Sequence, residues 1–384
     1  MMHCNVCLTE IEKPIYAANS NQSLTSLCEL RDGQVNVWSC PVCSHLRSEA
    51  FADTVAYYES DYKILLSDEE EDQIYEVKDG EIVYRTDHQI TTLLSKLNLP
   101  EGATVLDYGC AKASTLKKLS GVRTDLNIHL FDVSSMYKEY WEKFVSTEKY
   151  AIHTTPQSWA SNFDVLTSFF ALEHIPQPID TVKKVYALLK DGGVFYGIVP
   201  DTFGNVADFV VIDHVNHFTT PSLAYLLDAA GFTDIQIDAA AHRGALVFTA
   251  RKGSKKPIAF EIAETIKESE SLAHYWESVN LCISETSKAH AGVTKAIYGS
   301  GFYGAYIASA MNDFDKVSCF LDASPFQQGK ELFGKPILAP DSLPEDVKVL
   351  YVGLNPSIAH AVIDGLSWLK DRDISLVYLD EQSA

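Results

Sequence analysis

From Thr104 onward the chain alternates short apolar runs with amphipathic segments, and this alternation constrains its fold more than any other feature. Thr104-Val105-Leu106-Asp107-Tyr108-Gly109-Cys110 reads as a buried strand ending in a tight turn, and Ala113–Leu119 as the helix that follows. Ile128–Asp132 and Phe163–Phe170 are further strands. An amphipathic helix over Ile179–Leu189, stopped by Asp191-Gly192-Gly193, leads into a strand over Val194–Val199. Strand and helix in regular alternation predict an α/β protein built on a doubly wound, largely parallel sheet.

In such a sheet a strand, a glycine turn and a helix present backbone N–H groups to a ligand at close range. Asp132, at the end of the second strand, is placed to accept hydrogen bonds from both ribose hydroxyls of an adenosine. The candidate cofactor-binding residues are Asp107, Gly109, Ala111 and Asp132, with Glu173 and His174 from the run Ala171–Pro176 after the third strand. These residues resemble class I S-adenosylmethionine methyltransferases. Asp107 and Gly109 match the family's first motif, Asp132 its second acid, and Leu189-Lys190-Asp191-Gly192-Gly193 its late turn. The family's run of three glycines is here Gly109-Cys110-Ala111-Lys112-Ala113, with small alanines at two of the positions. The resemblance implies S-adenosylmethionine as cofactor and a central Rossmann-like domain over residues 91–255.

Beyond that sheet lies Ile212-Asp213-His214-Val215-Asn216-His217-Phe218. Ligands of doubly wound sheets gather past the carboxyl ends of strands, and a histidine beside a carboxylate is equipped to serve as a general base. His214, Asp213 and His217 are therefore the candidate catalytic residues. The structural alternative is that His217 packs beside Phe218 and His214 binds a backbone carbonyl. A helix follows over Pro221–Gly231, capped by Thr219 or Thr220.

Two pairs, Cys4-Asn5-Val6-Cys7 and Cys40-Pro41-Val42-Cys43, have the spacing at which two thiolates meet one ion, and together they complete a tetrahedron of sulfur. Residues 1–50 are expected to form a module around structural Zn2+, closed to chemistry by its four thiolates. A redox dithiol would be expected beside a βαβ pattern, which is absent there. Cys28 is a further thiol without a partner at ligand spacing. Residues 51–90 connect or cover. Their tyrosines (Tyr57, Tyr58, Tyr62, Tyr75, Tyr84) serve half-buried packing or line a substrate cleft, and Gln89–Leu97 has helical spacing.

Residues 256–384 read as a helical linker, Ala259–His290, with Trp276 and Leu281 on an apolar face, followed by a second Rossmann-like α/β domain. Gly299-Ser300-Gly301-Phe302-Tyr303-Gly304 follows a strand and opens a helix, and Asp322 ends the strand Val317–Leu321. Alone, this pattern suggests NAD(P) and an oxidoreductase or epimerase. The order of the parts resembles the zinc-containing sugar C-methyltransferases, which act on nucleotide-linked keto-deoxysugars in bacterial antibiotic and polysaccharide pathways. The resemblance extends to Asp322-Ala323-Ser324-Pro325, Gln328-Gly329-Lys330 and Gly334-Lys335-Pro336-Ile337. It implies a nucleotide-sugar acceptor, proton abstraction beside a ketone and attack of the enolate carbon on the sulfonium methyl. Asp213-His214 match half of the family's Tyr-x-Glu-His run, whereas Val211 stands where the tyrosine would be. O- or N-methylation, with His214 as the base, is thus equally within reach, and so is a binding protein without turnover.

The formal charge of −21 lacks the basic stripe that phosphate backbones demand, which excludes a nucleic-acid partner. The acidic run Asp68–Asp72 reads as a solvated face. No stretch approaches the ~20 apolar residues of a membrane helix, and Met1-Met2-His3-Cys4 opens no apolar leader. The expectation is a cytoplasmic protein acting on a small molecule.

Overall fold

The computed structural model describes residues 2–52, 54–62, 72–78, 81–254, 260–370 and 372–380. Asp68–Glu71 of the acidic run, and residues 255–259 around the expected domain border, lie outside the described residues. The chain clusters into two compact units. One comprises Met1–Lys13, Trp38–Gly204 and His214–Ile266, and the other Pro14–Val37, Asn205–Asp213 and Lys267–Ala384. Among the described residues no helix is long and apolar enough to cross a membrane.

The first unit is organised by a seven-stranded mixed sheet. Its strands are β1 (Thr104–Tyr108), β2 (Asn127–Asp132), β3 (Tyr150–Ile152), β4 (Phe163–Phe169), β5 (Leu189–Pro200), β6 (Phe232–His242) and β7 (Ala245–Lys252). Their order is β3-β2-β1-β4-β5-β7-β6. Strands β1 to β5 pair in parallel, and β7 runs antiparallel to both β5 and β6. The order reverses between β1 and β4, so the carboxyl ends of these strands flank the crevice where doubly wound sheets bind ligands.

Helices α1 (Arg85–Lys96), α2 (Ser114–Val122), α3 (Pro178–Leu188) and α4 (Thr220–Ala229) belong to the same unit. The strands are apolar on both faces because both are covered. Val105, Ile128 and Val165 join Leu93, Leu116 and Leu119 in one core. Leu106, Phe131 and Leu166 join Val182, Leu223 and Leu226 in another. Of the two possible caps, Thr219 starts α4: its hydroxyl accepts from the Ser222 N–H, and the Ser222 hydroxyl accepts from the Thr219 N–H. Strand β5 begins at Leu189 rather than Val194, because the Asp191–Gly193 turn is absorbed as a register shift against β4.

The segment expected as one module over 1–50 is divided between the units. Trp38, Cys40 and Cys43 pack into the core that covers β1 and β4. Tyr16, by contrast, meets Phe209 edge to face and bonds Asn280, all within the second unit.

The second unit carries a six-stranded sheet. Strands β8 (Lys295–Tyr298), β9 (Val317–Leu321), β10 (Glu331–Leu332), β11 (Lys335–Leu338), β12 (Val349–Val352) and β13 (Ser375–Val377) lie in the order β10-β11-β9-β8-β12-β13. Helix α5 (Ala263–Ala289) is one continuous helix that buries Leu272, Trp276, Val279 and Ile283. Leu281 is 52% exposed. It was expected beside Trp276, but five residues turn a helix through about 140°, off the buried stripe.

Candidate active site

The turn after β1 is built from unusual backbone. Gly109 has φ 75°, and its N–H and that of Cys110 both donate to the Phe131 carbonyl, at 2.8 and 3.1 Å. A Cβ at position 109 would lie 2.7 Å from Cβ of Ala171, so only glycine fits. Ala111 and Ala113 also adopt left-handed backbone, at φ 44° and 58°, which costs a residue with a side chain roughly 1–2 kcal/mol. Hydrogen bonds hold the strain in place. The Ala111 N–H donates to Oδ2 of Asp132 at 2.8 Å, and its carbonyl accepts from Nε1 of Trp141 at 2.7 Å. The Ala113 N–H donates to the Cys110 carbonyl at 2.7 Å.

Asp132 is buried, and Oδ1 accepts from the Ser134 N–H at 2.9 Å. Burial raises its carboxyl above the ordinary range, against the pull of these backbone donors. Each carboxylate oxygen retains a second lone pair, so the backbone bonds orient Asp132 and leave it able to accept from a ribose. Asp107 lies deeper. Thr167 Oγ1 donates to it at 2.7 Å, and burial lifts its carboxyl to about 7.

Past β4, the turn Leu172–His174 brings three predicted residues together. The donor atoms of Glu173, His174 and His214 all lie within 4.8 Å of one another. The rings of His174 and His214 meet edge to face at 4.8 Å. Glu173 and His214 are buried, and the Val215 N–H donates to the Glu173 carbonyl at 2.8 Å. The Tyr58 hydroxyl bonds Nδ1 of His174 at 2.8 Å, and the Tyr62 ring lies 5.4 Å from the same imidazole. Arg85 stacks on Phe170 at 3.9 Å; burial lowers the guanidinium's proton affinity, while the charge of Glu173 works the other way.

The other predicted catalytic residues have different partners. Both oxygens of Asp213 accept from Ser26, one from its N–H and one from its hydroxyl, each at 2.7 Å. Burial, followed by the Asp213 charge, pushes the nearby Cys28 thiol up to about 11. His217 is fully buried in a short strand opposite Leu46, with Nε2 at 2.8 Å from the Ser48 hydroxyl. Between the two histidines, the buried Asn216 makes four bonds. Nδ2 donates to the carbonyls of Leu172 and Ile175, both at 2.8 Å. Oδ1 accepts from Nδ2 of Asn5 at 2.7 Å and meets Nε2 of His45 at 3.2 Å. Sequence reasoning missed Asn216 and Arg85. An uncharged amide between two histidines carries no signal of its own, and Arg85 is one cation among many charges.

The four cysteines of the paired motifs converge. Sulfur–sulfur distances are 3.6 Å for Cys4–Cys43, 3.4 Å for Cys7–Cys40 and 3.5 Å for Cys43–Cys7. A tetrahedral ion with Zn–S bonds of about 2.3 Å spaces its sulfurs about 3.8 Å apart, so the cluster is of a size to hold zinc. The close contacts pull the thiols apart: contact with Cys4 lowers the Cys40 thiol, and contact with Cys4 and Cys40 raises that of Cys43. Four thiolates are a donor set that suits a divalent zinc ion.

The turn after β8 repeats the bonding of the turn after β1. The Gly299 N–H donates to the Leu321 carbonyl at 2.7 Å, as that of Gly109 does to Phe131. Asp322 accepts from the N–H groups of Ser300 and Ser324 at 3.0 and 2.8 Å, as Asp132 does from Ala111 and Ser134. The Ser300 hydroxyl adds a bond of 2.6 Å to Asp322.

Residues 82–237, well under half the chain, match the family model described as a methyltransferase domain. A ubiquinone biosynthesis O-methyltransferase of Idiomarina loihiensis is 28% identical over 194 residues, covering 44% of this chain and 76% of the relative. A carboxy-S-adenosyl-L-methionine synthase of Campylobacter curvus is 30% identical over 112 residues, 28% of this chain and 47% of the relative. The chain spans about half the length of most curated relatives it matches. Among solved structures, Haemonchus contortus phosphoethanolamine N-methyltransferase 2 in complex with S-adenosyl-L-methionine aligns over 43% of this chain and 52% of that one, at 14% identity and a TM-score of 0.35. Residues 82–237 thus form a class I, S-adenosylmethionine-dependent methyltransferase domain set within a longer chain.

Proposed function

We propose that the chain transfers the methyl group of S-adenosylmethionine to a nucleotide-linked sugar, with His214 as the general base. The observation that carries the reading is the buried His214 ring against His174 just past β4, with Tyr58 holding His174 from the other side. Further support comes from the order of parts in the chain: a four-cysteine cluster, the methyltransferase domain, the His214 run and a second sheet with a nucleotide-type turn.

S-adenosylmethionine, when bound, supplies an electrophilic methyl carbon. Asp132 accepts from its ribose, while Asp107, Gly109 and Ala111 shape the turn, and Glu173 and His174 complete that wall. His214 takes the acceptor's proton as the hydroxyl oxygen, the amine nitrogen or the carbon beside a ketone attacks the methyl group. Asp213 and His217 hold the ends of the run that carries His214, through Ser26 and Ser48. Cys4, Cys7, Cys40 and Cys43 hold Zn2+ as a structural ion. The reading includes a small-molecule acceptor in the cytoplasm, and the acidic charge of −21 argues against a nucleic-acid partner.

Incubation with methyl-labelled S-adenosylmethionine and a panel of nucleotide sugars tests the reading, and label is expected in at least one sugar. His214→Ala should retain S-adenosylhomocysteine binding and lose turnover at least a hundredfold. Unlabelled acceptors beside intact cofactor binding would overturn the function, and turnover retained in the variant would overturn the base.

The bonding repeated at Gly299 and Asp322 favours a second reading, in which the C-terminal turn binds NAD(P) for oxidoreductase or epimerase chemistry. NADH fluorescence on titration separates the two readings. Enhancement that Gly301→Val abolishes supports the second, and a flat titration removes it.

A further inference from the structure

We infer that Glu173, His174 and His214 form a second cation site, separate from the four-cysteine cluster, which takes one divalent first-row ion and withdraws His214 from proton transfer while it is filled. Two imidazoles and a carboxylate offer donor atoms that lie within 4.8 Å of one another. An ion with bonds of about 2.1 Å holds neighbouring donors about 3.4 Å apart, so the three close on it by rotating side chains a little over an ångström.

Three features preorganise the set. The Tyr58 hydroxyl bonds Nδ1 of His174 at 2.8 Å and orients the ring, in the way outer partners orient metal-bound imidazoles. The backbone of the turn is pinned by the Val215 N–H on Glu173 and by the Asn216 amide on Leu172 and Ile175. Glu173 is 1% exposed, and an ion held against it would add to the opposite charge that Arg85 already supplies. A nitrogen-and-oxygen set suits nickel, cobalt or zinc, whereas four thiolates select zinc. Ion and proton compete for the same imidazole lone pair, so a filled site excludes His214 from base catalysis. That consequence rests on the function proposed above, and the binding itself does not.

Zinc-loaded full-length protein, cleared of loosely held metal, is titrated with Ni2+ by calorimetry, and bound metals are counted by elemental analysis. One further equivalent is expected. Glu173→Gln, which preserves shape, and His174→Ala should each weaken binding at least tenfold while the zinc count and far-UV circular dichroism stay unchanged. His88→Ala, from a histidine pair that meets at 5.2 Å elsewhere in the unit, should leave it unaltered. No nickel beyond the zinc, or equal nickel binding in both ligand variants, would overturn the site. In active protein, nickel should suppress methyl transfer and a chelator restore it. Stoichiometric nickel binding by a chain that methylates no acceptor before nickel is added would leave the site standing and defeat the proposed function instead.

Discussion

Two alanines occupy backbone that glycine adopts without strain, and this shapes expectations for the turn after β1. Ala111 and Ala113, at φ 44° and 58°, are held left-handed by bonds to Asp132, Trp141 and Cys110. Relief of about 1–2 kcal/mol of strain, set against the ~0.4–1 kcal/mol by which glycine loosens the unfolded chain, leaves a net gain. Ala111→Gly should therefore raise stability by about 0.5–1 kcal/mol, read from the urea midpoint at constant slope. Asp107 behaves oppositely to a salt-bridged carboxylate. Its folded carboxyl titrates at about 7 against an ordinary 3.8, so the native state binds the extra proton between those values. The associated stability is present below pH ~4 and is lost as pH rises through ~7. It amounts to at most about 4 kcal/mol at 1.36 kcal/mol per unit. Asp107→Asn should flatten that part of the profile of unfolding free energy against pH, and an unchanged slope would refute the assignment. Motif positions were legible in the residues at this scale. The left-handed alanines were not, because an alanine's letter carries no backbone angle.

At the scale of elements, the 214–217 run is held from the front of the chain. Asn216 joins Asn5, inside the first cysteine knuckle, and His45, just past the second, to the carbonyls on either side of Glu173 and His174. Asn216→Ala would leave several buried groups unpaired, at roughly 1–3 kcal/mol each. A total loss near 3 kcal/mol is expected, with a larger loss of turnover than of S-adenosylhomocysteine affinity. Stripping the cysteine cluster with a strong chelator should lower the melting temperature by roughly 10 °C, at ~2–4 °C per kcal/mol. A melt that is indifferent to the chelator would speak against a structural ion. Strands and helices of the central sheet could be read from apolar periodicity because both faces are covered. The boundaries that moved have local causes: β5 absorbs its glycine turn through a register shift, and Leu281 falls off the stripe that carries Trp276.

Across the whole molecule, the same turn was written twice. Gly109 with Asp132 and Gly299 with Asp322 share one hydrogen-bond pattern, one in each compact unit. Both were visible as strand, glycine, helix and acid, since these are local features of the chain. The convergence of Tyr58, His174 and His214 was not visible, because it joins residues as far apart as positions 58 and 214, which no periodicity connects. Likeness to known methyltransferases draws borders at residues 82 and 237. Those borders sever the Asn216 amide from Asn5 and His45, and His174 from Tyr58. A fragment trimmed to them would keep every residue of the turn after β1 and lose the ties that hold its neighbouring loop. Anyone transplanting this domain must therefore carry its first sixty or so residues along as part of the graft.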